Sequence, residues 1–145
     1  MCHLKRVLNS RNRARGGRSG AAAVEFAFVA PVFFVIVMAV FEFGRAMMVQ
    51  AILTSAAQRG ARTGAMSGAQ TSDVTSSVST FLVNSGINGA TTVVSPSPPS
   101  SALPGQTVTV TVSVPYTSVS WLPSPKYLSG ATLSATSLVV CESGT

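Results

Sequence analysis

Gly20-Ala21-Ala22-Ala23-Val24-Glu25-Phe26 opens a run that stays uncharged through Phe41 and ends at Glu42. Its length decides how the rest of the chain is read, because about 10 to 14 apolar residues suggest a core helix or signal segment, and about 18 or more suggest a membrane span. Phe26 to Phe41 supplies sixteen uncharged residues, and counting from Ala21 gives twenty-one with Glu25 as the one acid. At a rise of ~1.5 Å per residue the uncharged part covers roughly 24 Å of a ~30 Å hydrocarbon layer. Glu25 and Glu42 then fall near opposite membrane faces, where each costs far less than the roughly 2.5 to 3.5 kcal/mol of a charge at the bilayer centre. Pro31 removes one backbone donor inside the run, a defect that membrane helices tolerate.

Lys5, Arg6, Arg11, Arg13, Arg15 and Arg18 all precede Gly20. Beyond it Arg45, Arg59, Arg62 and Lys126 balance Glu25, Glu42, Asp73 and Glu142, so the net +6 belongs to the first twenty residues. Such a cluster suits nucleic acid, an anionic membrane surface or retention of the N-terminus in the cytoplasm. The third reading is favoured, since the apolar run follows at once and the rest of the chain is neutral; no nucleic acid is expected. Positive-inside bias then puts the C-terminal part outside. A secretory signal peptide also has basic residues before an apolar region, but its small-residue cleavage site follows that region. Here that place is taken by Val40-Phe41-Glu42-Phe43-Gly44-Arg45, which is bulky and charged. The glycine boundary lies upstream instead, as for a cut at the cytoplasmic face that leaves the apolar helix as a new N-terminus.

These segments, together with Ala27-Phe28-Val29-Ala30-Pro31 and Ala56-Ala57-Gln58-Arg59-Gly60-Ala61-Arg62, resemble the TadE-like minor pilins, or pseudopilins, of tight-adherence (Flp, type IV) pili. The resemblance covers roughly the first seventy residues. It implies a cut between Gly20 and Ala21 by a prepilin peptidase, and makes Glu25, followed by Phe26, the processing and assembly glutamate. It implies a role in assembling the pilus fibre rather than forming its bulk. The implied partners are other pilin and pseudopilin subunits, the assembly platform and membrane lipid. The implied location is a bacterial cytoplasmic membrane, crossed once. In a fibre of packed helices the Glu25 carboxylate would pair with the free amine of a neighbouring subunit, since an unpaired charge there is strongly unfavourable. The residues alone also allow Glu25 to mark the interfacial end of a span.

Past Glu42 the absence of Pro and the abundance of Ala extend the helix to about Ala65. Ala57, Ala61 and Ala65 recur every four residues, as do Ala56, Gly60 and Gly64. Such strips admit a second helix at close range or pack beneath the chain's own outer domain. Glu42 and Arg45, three apart, are placed to pair beside the outer boundary.

The reading is thus a basic leader over 1–20, a transmembrane and assembly helix over 21–66, and a small extracytoplasmic domain over 67–145. The fold class is α+β. Val74, Val78, Phe81 and Leu82 predict a short helix that begins at Ser72 and Asp73 and stops at Gly86. Ala90 to Ser95 predicts a strand, followed by the Pro96-Ser97-Pro98-Pro99-Ser100 loop. Gln106 to Val114 alternates valine with threonine and serine, which predicts a strand with one buried and one wet face. A last strand is predicted over Thr132 to Val140, closing a small antiparallel sheet against the short helix.

Chemistry has little to work with. His3, the one histidine, lies in the leader, which removes a Ser-His-Asp or Cys-His arrangement and a histidine-rich metal site from the mature chain. The carboxylates are scattered, and Arg15-Gly16-Gly17-Arg18-Ser19-Gly20 lacks the strand that a phosphate-binding loop requires. No catalytic residue, cofactor or metal is expected. Cys2 and Cys141 fall on opposite sides of the membrane in this topology, so no internal disulfide is expected either. Two other readings stay open. One is an exported surface module with Tyr116, Trp121 and Tyr127 as a ligand patch, unless those rings cover the core. The other is an uncleaved single-span anchor.

Overall fold

The computed structural model describes residues 16–103, 105–123 and 125–141. The basic leader through Arg15, with Cys2 and His3, and the late Glu142 lie outside the described residues. The chain divides into two units, Met1–Ala39 and Val40–Thr145. Helix α1, Gly16–Gly64, contributes its first part to one and its remainder to the other. It begins upstream of the Gly20 boundary and contains Pro31 without interruption.

In the first unit the described side chains are exposed or at most half-buried, Phe28 reaching 77% exposure. This is the behaviour of a helix that is apolar all round, which cannot bury itself against any single neighbour.

The second unit is organised differently. Glu42, Ala46, Val49, Leu53, Ala56, Ala57, Gly60, Ala61 and Gly64 are all buried, while Phe43, Met47, Thr54, Gln58 and Arg62 are exposed. Steps of three and four residues place the first set on one stripe of a 3.6-residue helix. The stripe joins α2 (Thr71–Asn84) and a sheet of β1 (Thr91–Ser95), β2 (Thr107–Pro115) and β3 (Thr132–Val140) in one core. The sheet is antiparallel throughout, in the order β1-β2-β3. Val108, Val110, Val112 and Val114 of the central strand are all fully buried, and the intervening Thr109, Thr111 and Ser113 are partly exposed. On the outer face Thr111 and Thr136 lie directly opposite and share a hydroxyl hydrogen bond of 3.0 Å.

Local chemistry sets the ends of α2. The Gln70 N–H donates to Asp73 Oδ2 at 2.9 Å, closing its first turn from outside. At the other end Gly86 takes a φ of +73°, its N–H bonds Val83 O at 3.0 Å, and the Ile87 N–H reaches Leu82 O at 2.9 Å. This is a Schellman stop, and Ile87 goes into the core with Leu82.

Gly60 explains why the stripe turns small towards its end. A Cβ there would lie 2.7 Å from Val78 Cγ2 and 3.0 Å from Val110 Cγ1, so α2 and β2 occupy the space a side chain would need. Gly64 faces Val108 Cγ1 in the same way, at 3.1 Å. The strip of Ala57, Gly60, Ala61 and Gly64 therefore carries the chain's own sheet and second helix, with Ala65 half-buried beside it. Of the two uses expected for these small residues, approach by a second chain and packing under the outer domain, the structure gives them the second. Close approach to a sheet and a helix together needs the same small side chains that a helix pair needs.

Candidate functional site

The residues expected to carry processing and assembly all lie on the exposed part of α1. Gly20 and Ala21 are helical and open, with no atom within 4 Å of a Cβ built at Gly20. Glu25 is exposed, and Phe26 beside it is 71% exposed. They share one helix by sequence proximity alone.

The second acid of the apolar run has another fate. Glu42 is buried, and its carboxylate accepts three consecutive backbone N–H groups: Lys126 at 2.8 Å on Oε1, then Tyr127 at 2.9 Å and Leu128 at 3.2 Å on Oε2. Its own carbonyl accepts the hydroxyl of the buried Tyr116 at 2.9 Å. Burial pushes its carboxyl pKa up, and the three N–H donors more than offset this, leaving it below the usual glutamate range. Arg45, one turn on, donates from Nε to Val119 O at 2.8 Å and lies over the Trp121 ring, 4.7 Å from its centroid. The expected pairing of Glu42 with Arg45 is thus replaced by two separate attachments to the segment that follows β2. That segment lacks regular ladder bonds of its own, so its N–H groups need acceptors, and a buried carboxylate needs donors.

Sequence reasoning missed this cluster. The signal was available: Glu42 and Arg45 stand at the head of the same stripe as Val49 and Leu53, so their side chains point inwards with the core residues. The aromatic patch considered for a ligand also divides. Tyr116 is fully buried, whereas Trp121 and Tyr127 are exposed. Cys141 is a free, half-buried thiol beside the core. Among the described residues no three His, Cys, Asp or Glu side chains come together as a metal site would require.

From Gly20 onward α1 is long and apolar enough to cross a membrane. No curated protein and no solved structure matches the chain. Residues 20–62 match the family model described as TadE-like protein. The match takes in both the exposed apolar stretch and nearly all of the buried stripe that continues it, so that the similarity to TadE-like proteins lies in residues 20–62.

Proposed function

We propose that the protein is a minor pilin, or pseudopilin, that assists assembly of a tight-adherence pilus from a bacterial cytoplasmic membrane. A prepilin peptidase cuts between Gly20 and Ala21, and the apolar part of α1 remains as the mature N-terminus, crossing the membrane with the compact unit outside. Other pilin subunits and the assembly platform then grip that stretch, with Glu25 pairing to the new amine of a neighbour. The observation that supports this most strongly is the contrast within the TadE-like segment. Its first part leaves large apolar side chains uncovered, while its second part is already used by the chain's own fold. A subunit-binding surface on α1 is therefore best sought between Ala21 and Phe41, whose side chains are largely exposed.

The reading is tested by Glu25→Ala in the native host. Piliation is expected to fall sharply while the protein still fractionates with the membrane. Normal piliation in this variant would remove Glu25 from assembly.

A further inference from the structure

The loop attached to Glu42 carries more apolar surface than a solvent loop needs. Trp121 is 64% exposed and Tyr127 46% exposed, and Lys126 between them is also exposed. Neither ring is on a slack segment. The Tyr127 N–H is fixed on Glu42 Oε2, and the Trp121 indole has one face against the Arg45 guanidinium, whose Nε is itself bonded to Val119 O. The same end of the compact unit presents Phe41 and Phe43, either side of Glu42 in sequence and each about half exposed. The outer face of the sheet, by contrast, is mostly threonine and serine. The molecule thus carries two aromatic side chains on an anchored loop, with Lys126 exposed between them, beside the residue that ends the uncharged run.

We propose that this collar of Phe41, Phe43, Trp121, Tyr127 and Lys126 rests in the lipid headgroup layer and docks the compact unit on the membrane surface. The inference rests on α1 being inserted in the bilayer. Trp and Tyr favour the membrane–water interface, where an apolar ring body meets lipid and its polar edge stays wet. A lysine beside anionic headgroups adds electrostatic attraction. Position argues for lipid over a second protein: Glu42 directly follows Phe41, so groups bonded to it lie where the chain leaves the hydrocarbon. The buried Glu42 carboxylate then has a clear purpose, since it holds the loop against the helix at the membrane surface while remaining shielded from lipid.

Trp121 is the only tryptophan, so its fluorescence reports this surface alone. The full chain is reconstituted into phosphatidylethanolamine and phosphatidylglycerol vesicles with bromines placed either high on the acyl chains or near their ends. The proposal expects most of the emission to be lost with shallow bromines and most of it to survive with deep ones. Water-like emission that neither lipid quenches, from protein that resists alkaline extraction, would overturn the docking surface and leave the span standing. Protein stripped from the vesicles by alkali would overturn both. Blue-shifted emission insensitive to bromine would place another protein surface over Trp121 and also overturn the lipid assignment.

Discussion

Residues 26–41 and 42–64 belong to one helix, yet they solve opposite problems. The first stretch carries eleven Phe, Val and Ile side chains distributed around the helix. Only an apolar solvent can accommodate all of them, and at about 0.3 to 0.6 kcal/mol each the transfer to the bilayer centre gains at most roughly 3 to 6 kcal/mol. The second stretch buries Val49, Leu53, Ala56, Ala57, Gly60, Ala61 and Gly64 on a stripe and leaves Phe43, Met47, Gln58, Arg59 and Arg62 outside, Arg59 lying over the Phe81 ring at 4.5 Å. One partner surface suffices for it, and the chain supplies that surface itself. The two stretches differ in hydrophobicity, the first carrying no charged residue and the second four, and also in the angular distribution and size of their side chains.

Mutations placed in one stretch should therefore leave the other untouched. The largest effect is expected from Leu53→Ala, which opens a cavity under the sheet and should cost about 2 to 5 kcal/mol in denaturant unfolding of the compact unit. Gly60→Val drives a branched side chain into Val78 and Val110 and should cost about 1 to 3 kcal/mol, although valine is a better helix former than glycine. Tyr116→Phe removes the hydroxyl that donates to Glu42 O and should cost about 0.5 to 1.5 kcal/mol. At the bottom of the scale, Phe34→Leu on the exposed stretch should leave unfolding of the compact unit unchanged within error. A large loss there would mean that the first stretch contributes to the same core.

Glu42 gives the comparison a pH dependence. Its folded pKa lies below the ordinary glutamate value of about 4.3. As acid is added the unfolded chain takes up its proton first, so the carboxylate's contribution is fully present above that value and is lost as pH falls through the folded pKa. Glu42→Gln should flatten this part of the stability–pH profile, measured by thermal unfolding. An unaltered profile would show that the three N–H bonds do not depend on the charge.

Much of this division is legible in the sequence. The strand β2 followed from alternation, because a half-buried strand leaves a period of two in the sequence. The end of α1 and the glycine stop of α2 followed from local backbone chemistry. The partner of the small-residue strip was not legible, since a strip of Ala and Gly states how close a neighbour comes and not which neighbour it is. The role of Glu42 was hidden for a related reason. A carboxylate at the end of an apolar run is ordinarily solvated, and only the return of the Lys126 to Leu128 backbone, more than eighty residues away, turns it into a buried anchor.

The central claim is that the exposed stretch of α1 survives maturation and serves as the assembly surface. Sequencing the N-terminus of the mature protein from the native host tests it most directly. The account predicts a chain that begins at Ala21. A chain beginning beyond Phe41, released from the membrane, would contradict it.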